Sequence, residues 1–251
     1  MTRVRAVSFD AGGTLIGIVE PVGETYARFA RRAGFTADAH ALDEGFRRAF
    51  AAAPPLAPRP GHAGTLLEFE LGWWRAIVAA SLAHALGEAI PPSRAADFER
   101  FFAATFAHYG ERTAWRIFPD AVETVRALRG DGLALAVLSN FDRRLHGVVA
   151  AFGLSDAFTT IVPSSEAGFA KPAHGAFEHV LRALDANDAV APAECLHVGD
   201  SIREDVAGAL GAGLQAAWLD RDGTAADELP PGVPRITSLA EVPELLRQLS
   251  S

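Results

Sequence analysis

A single cysteine, Cys195, and a single lysine, Lys171, stand among the 251 residues. One thiol excludes an intrachain disulfide framework and a cysteine-based zinc cluster. All other basic residues are arginine. A lysine in such a background either marks a place where a compact ammonium is needed and a planar guanidinium fails, or is a surface remnant. Positive charge is scarce overall. A net charge of −8 and a pI near 5.5 argue against a general nucleic-acid surface, which needs a basic face. No apolar run approaches the length that spans a bilayer. The N-terminal stretch meets Asp10 and two glycines too early for a signal-peptide core, so the expectation is a cytoplasmic protein. Repeats, heptads and low-complexity tails are missing, as are the serine-hydrolase elbow, His-Glu-x-x-His and the phosphate-binding Gly-Lys-[Ser/Thr]. The glycines of Gly208–Gly213 are in the wrong order and follow a helical pattern, which disfavours dinucleotide binding. The eight histidines show no ligand spacing, and His197, inside a strand pattern, reads as a core residue.

What is present is an ordinary globular composition, 49% apolar and 22% charged, long enough for one domain with an insert or for two small ones. Strand-like runs occur at Val4–Phe9, Leu133–Leu138, Thr160–Pro163, Cys195–Gly199 and Gln215–Leu219. Amphipathic stretches alternate with them at Ala121–Arg129, Arg143–Phe152, Gly175–Leu184 and Arg203–Leu210. That alternation predicts an α/β fold, a parallel sheet covered on both faces. Pro119-Asp120 with Glu123, and Ser201 with Glu204, read as capping boxes at helix starts.

Residues 17–114 break the alternation. They predict helices at Gly23–Ala33, Asp38–Ala52, Leu66–Leu86 and Ser93–Tyr109, with a stiff Pro-rich loop at Ala53–Gly64. The expected organisation is a core from residues 1–16 and 115–251, with an all-helical module at 17–114.

In open parallel sheets, ligands meet the carboxyl ends of the strands at the switch point. Asp10 follows the first strand, Ser139 and Asn140 the second, and Asp200 a later one, with Asp205 five residues on. Lys171 precedes a helix pattern. Three carboxylates, one ammonium and one hydroxyl would converge there. Clustered carboxylates repel unless a cation lies among them, and oxygen-only ligation selects a hard ion such as Mg2+.

Asp10-Ala-Gly-Gly-Thr-Leu15, Ser139-Asn140, Lys171-Pro172 and Gly199-Asp200-Ser-Ile-Arg-Glu-Asp205, in that order, resemble the four motifs of the haloacid dehalogenase superfamily. The resemblance covers essentially the whole chain, and the helical insert after the first motif is similar to that family's small cap. It implies a Rossmann-like three-layer core, a small phosphorylated substrate, and a monomer or homodimer. It further implies that Asp10 is the nucleophile, that Lys171 neutralises charge, and that Gly13, Ser139, Asn140 and Lys171 hold phosphate. The metal would take Asp10, the Gly12 carbonyl and Asp200, with Asp205 beside it or acting through water.

One departure matters. Phosphatases of that family carry a second aspartate, their general acid and base, where this chain has Gly12. The choices left open are a Mg2+-dependent phosphohydrolase without the usual acid, a phosphate-ligand binding protein with little turnover, and a metal-independent 2-haloacid dehalogenase. The only lysine lies in the core, which disfavours a Schiff-base mechanism from the cap. Glu20, Tyr26, Arg28, Trp73, Trp74 and Arg75 are candidates for substrate choice, although paired tryptophans on an amphipathic helix more often anchor packing. His174, three residues beyond Lys171, is a weaker candidate for the site mouth, and His62 carries no argument.

Overall fold

The computed structural model describes residues 3–59, 61–184, 190–223 and 229–249. Its strands are β1 (Ala6–Phe9), β2 (Ile16–Ile18), β3 (Trp115–Ile117), β4 (Ala134–Ser139), β5 (Thr160–Pro163), β6 (Cys195–Gly199), β7 (Gln215–Leu219) and β8 (Arg235–Ile236). The chain forms two units. One comprises Met1–Gly17, Ala57–Pro60 and Ile117–Ser251, the other Ile18–Leu56 and Gly61–Arg116. The chain leaves the first unit along β2 and returns along β3, and these two short strands pair with each other.

In the first unit six strands form a parallel sheet in the order β5-β4-β1-β6-β7-β8. Renumbered without the two-stranded ribbon, that order is 3-2-1-4-5-6, the Rossmann arrangement, and the order reverses between β1 and β6. β1 is buried along its whole length, which is why Ala-Val-Ser-Phe reads as a continuous run rather than an alternation. Phe9 lies level with Val137 of β4 and Val198 of β6, so the residues that follow these strands emerge on one edge.

Helices α1 (Val22–Arg32), α2 (Ala39–Ala52), α3 (Leu66–Leu86) and α4 (Ala95–His108) build the second unit; α5 (Pro119–Gly130), α6 (Arg144–Ala151), α7 (Ser164–Ala167), α8 (His174–Leu184), α9 (Gly208–Gly211) and α10 (Val242–Leu249) belong to the first. On one sheet face Ala6, Ala136, Leu138 and Cys195 pack against Ala176, Phe177, Val180 and Leu184 of α8 and against Val206 and Ala209. The apolar stripe of α8 recurs every three to four residues, so one side of the helix is swallowed by the sheet. Burial of Phe177 alone is worth about 2–3 kcal/mol.

The helical unit has its own core of Tyr26, Ala30, Phe35, Leu42, Leu82, Phe98 and Phe101. Asp38 caps α2 by accepting from the Ala41 amide at 2.9 Å, and Thr65 with Glu68 forms a reciprocal cap at the start of α3. Gly87, with φ of 72°, ends α3 in the left-handed conformation.

Local expectations differ from the structure in several places. The segment Ser93–Tyr109 begins as a 3-10 turn, Pro92–Arg94, before α4. No capping box forms at Pro119-Asp120: proline presets the first turn, Phe118 is the cap position, and the Asp120 carboxylate is drawn away to Arg221, Ser238 and the Leu239 amide. Ser201 does cap the following turn through the Glu204 amide at 3.1 Å, but Glu204 does not return the bond because its carboxylate goes to Asn140. That turn, Ile202–Ala207, is π-helical, a geometry concentrated at functional sites. The strands β2, β3 and β8 are too short, at two or three residues, for a periodicity to show.

Candidate active site

Asp10 leaves β1 at the carboxyl edge and is 6% exposed. Ser139 ends β4, and its hydroxyl donates to Asp10 Oδ1 at 3.1 Å. Lys171 arrives from the segment between α7 and α8, 3% exposed, and donates through Nζ to Asp10 Oδ1 at 2.6 Å and to Asp205 Oδ1 at 2.5 Å. The one lysine is therefore a buried bridge between two carboxylates, not a surface remnant. An ammonium suits this place because three donors on one small atom can reach several acceptors in a closed space.

Asn140 positions that lysine from behind. Its side-chain amide donates to the Lys171 carbonyl at 2.9 Å and accepts from the Lys171 amide at 2.8 Å, while also donating to Glu204 at 2.9 Å. Both oxygens of Asp205 are engaged. Oδ1 takes Lys171 and His197 Nε2, the latter at 3.0 Å, and Oδ2 takes the Ser201 amide at 2.9 Å. Asp205 thus orients Lys171, and its influence on a cation would be indirect.

His197 is a core histidine, fully buried, but not an inert one. It lies level with Ser8 on the neighbouring strand and bonds the Ser8 hydroxyl through Nδ1 at 3.1 Å. Burial lowers its pKa, so the ring is neutral; Nε2 then carries the proton given to Asp205, and Nδ1 accepts from Ser8. Strand periodicity shows that His197 is buried, but the side-chain cluster beneath Lys171 exists only once β1 and β6 pair. His174 lies elsewhere, against the Gly211 carbonyl and Glu178.

The turn after Asp10 is tightly wound. Gly13 adopts φ of +81°, and a β-carbon there would lie 2.2 Å from Asp200 Oδ2. Asp200 therefore packs directly on the turn, and glycine is required on two grounds. The Gly13 amide is spent on the Ile16 carbonyl at 2.8 Å, and the Leu15 and Ile16 amides on Ala11. Among the described residues no acceptor takes the amides of Ala11, Gly12 or Asn140. These N–H groups, rather than that of Gly13, are the ones left for an anion. A β-carbon at Gly12 would meet nothing within 4 Å.

Charge is unbalanced here. Against burial, Asp10 and Asp205 hold Lys171 protonated above its ordinary range. Burial raises Asp10, opposed by Lys171 and reinforced by Asp205, while Lys171 and His197 outweigh burial and hold Asp205 low. Asp200 reaches solvent at its outer edge, yet the surrounding protein and the charges of Asp10 and Asp205 push its carboxyl up to about 7. Three carboxylates around one ammonium favour an added cation. The donors that remain, the second Asp10 oxygen, the Asp200 carboxylate and the Gly12 carbonyl, are all oxygen and fit Mg2+. No cluster of three His, Cys, Asp or Glu side chains fit for a metal occurs among the described residues. An ion that keeps several waters and uses one or two carboxylates needs no such cage.

In the helical unit Tyr26 is 1% exposed and packs edge-on against Phe46 and Phe101, which makes it a packing residue instead of an entrance residue. Trp73 donates to the Pro54 carbonyl at 2.8 Å and meets Phe50 edge-on, and Trp74 packs tilted against the same ring. Arg75 pairs with Glu99. Glu20 and Arg28 pair at 2.5 Å and line a pocket of about 220 Å³ together with Thr25, His108 and Tyr109. No described helix is long and apolar enough to cross a membrane.

A family model described as haloacid dehalogenase-like hydrolase matches residues 4–213. The human haloacid dehalogenase-like hydrolase domain-containing protein 3 is 32% identical over 214 residues, covering 85% of this chain and 81% of that protein. A phosphoserine phosphatase of Thermus thermophilus is 37% identical over 142 residues, 54% of this chain and 55% of that protein. The fold is similar to the L-2-haloacid dehalogenase of Xanthobacter autotrophicus, with a TM-score of 0.68, 23% identity and 98% and 99% of the two chains covered.

Proposed function

Because this chain belongs to the haloacid dehalogenase-like hydrolases, we propose that it hydrolyses a small phosphorylated metabolite through an aspartyl-phosphate on Asp10, with Mg2+. The observation that carries this reading is the buried Asp10–Lys171–Asp205 chain at the switch point. A carboxylate held by an ammonium and a hydroxyl beside unspent backbone amides suits the binding of an anion and attack on it. The similarity to a phosphoserine phosphatase supports phosphate esters as the substrate class.

In this mechanism the amides of Ala11, Gly12 and Asn140 hold the phosphoryl oxygens, and the Ser139 hydroxyl turns from Asp10 to join them. Asp10 Oδ1, the oxygen that Lys171 holds, attacks phosphorus as the bond to the leaving oxygen breaks, and the leaving oxygen departs with the electron pair; the other Asp10 oxygen is the one left for the metal. Lys171 neutralises the charge spreading over the phosphoryl oxygens. Water then attacks phosphorus of the aspartyl-phosphate, releasing inorganic phosphate and regenerating the Asp10 carboxylate. When bound by Asp10, the Gly12 carbonyl and Asp200, Mg2+ supplies positive charge that lets two anions approach. The helical unit, residues 18–56 and 61–116, is the part to which we assign substrate choice.

Gly12 offers no proton donor, so esters with good leaving groups react best, and breakdown of the aspartyl-phosphate is slow. The same glycine supports a second reading, a phosphate-ligand binding protein with little turnover. It also leaves open metal-independent hydrolysis of a carbon–halogen bond by Asp10. A screen of phosphate esters, acyl phosphates and 2-haloacids with Mg2+ or EDTA separates the three. Metal-dependent phosphate release that Asp10→Asn abolishes supports the first. Metal-dependent binding without release establishes the second, and EDTA-resistant halide release the third.

A further inference from the structure

We propose that Arg221 is a positioning residue that holds the peptide planes of the turn following Asp10, and through them the Gly12 amide that meets the substrate's phosphate. The inference rests on the phosphoryl-transfer reading above. Arg221 lies two residues beyond β7, and its guanidinium reaches back across the sheet edge. Its Nη2 donates to the Thr14 carbonyl at 2.7 Å and its Nε to the Gly13 carbonyl at 3.2 Å. The peptide planes pinned in this way carry the Thr14 and Leu15 N–H groups, and both donate to the Ala11 carbonyl, at 3.3 and 2.9 Å. The plane of the Ala11 carbonyl carries the Gly12 N–H, so Arg221 restrains the Gly12 amide through the closed turn.

The guanidinium is itself held by a carboxylate and by a ring face. Asp120 accepts from it twice, at 2.9 and 3.1 Å, and its carbon lies 3.9 Å from the centre of the Phe118 ring. Asp120 in turn accepts from the Ser238 hydroxyl and the Leu239 amide, both at 2.8 Å. The segment leading into α10 is thus tied to the nucleophile turn through one arginine. Four donations leave one planar fork, and a lysine, with three donors on one nitrogen, could not serve two carbonyls and both carboxylate oxygens together.

The test compares wild type with Arg221→Ala and Arg221→Lys by inhibition with inorganic phosphate, turnover of 4-nitrophenyl phosphate, and hydrogen exchange at residues 11–16. Loss of two charged hydrogen bonds predicts that phosphate binding weakens by about tenfold or more. Exchange at those amides should speed up while helices α5 and α8 keep wild-type protection. Free guanidinium ion should restore part of the phosphate affinity to Arg221→Ala but not to Arg221→Lys, whose side chain fills the space. Folded variants with wild-type phosphate affinity and wild-type exchange at residues 11–16 would overturn the proposal. If Arg221→Ala does not fold, Arg221→Lys gives the same two readouts. A wild-type protein that neither binds nor releases phosphate defeats the phosphoryl-transfer reading, while the exchange experiment still decides the role of Arg221.

Discussion

Replacing Gly12 by aspartate is the most informative single change, because the structure leaves room for it. The residue is not in the left-handed region, and a β-carbon there meets nothing within 4 Å. The substitution should therefore alter stability by less than about 1 kcal/mol. It restores a proton donor and acceptor beside the transferring group. General acid–base help of this kind is worth roughly 10²–10⁴-fold. The low end applies here, since nothing within 4 Å of a β-carbon at position 12 holds the new side chain in place. An increase in kcat of about 100-fold corresponds to about 2.7 kcal/mol of transition-state stabilisation. Dephosphorylation is the step that gains. Rapid quench with labelled substrate should show the wild-type aspartyl-phosphate accumulating and that of Gly12→Asp decaying within the mixing time. The leaving group gives a second check: kcat/KM should rise for alkyl phosphates and hardly change for 4-nitrophenyl phosphate. A Gly12→Asp protein that is folded, binds phosphate, and breaks down its intermediate no faster than wild type refutes the reasoning.

Three further outcomes follow from the same geometry. Lys171→Met leaves Asp10 and Asp205 buried without their ammonium, so urea denaturation should show a loss of about 3 kcal/mol, and turnover should fall about 10³-fold; unchanged stability would contradict the buried bridge. Gly13→Ala forces a side chain at φ of +81° against Asp200 and should lower the melting temperature and blunt the stabilisation produced by added Mg2+. Asp120 carries a lowered pKa: burial opposes ionisation, but Arg221, Ser238 and the Leu239 amide prevail. Its contribution to stability is present above the ordinary carboxylate pKa and is lost as pH falls through the lower folded value. Urea midpoints of wild type and Asp120→Asn should accordingly differ most near about pH 6 and converge below about pH 3, and a constant difference would exclude this linkage.

Much of the architecture was legible from local pattern alone. Buried parallel strands announce themselves as short apolar runs, and the segment Leu66–Leu86 matches α3 residue for residue because a capping Thr65 and a left-handed Gly87 bracket it. Asp10, Ser139, Lys171 and Asp200 could be picked out because each follows a strand or precedes a helix in a recurrent order. Tyr26 could not be sorted this way, since an aromatic on an amphipathic helix reads alike whether it lines an entrance or fills a core.

By itself the sequence determined which side chains carry charge, that one ammonium is available, and that no carboxylate stands at position 12. Tertiary structure alone decided their partners. Asp205 and His197 are eight positions apart and meet because the chain turns back after β6, and His197 meets Ser8 only because β6 pairs with β1. Arg221 reaches Thr14 across 207 residues of chain. Local propensity encodes the elements that periodicity and caps can stabilise one at a time. Contacts between distant segments depend on register and on how helices dock, and no single stretch of chain contains that information.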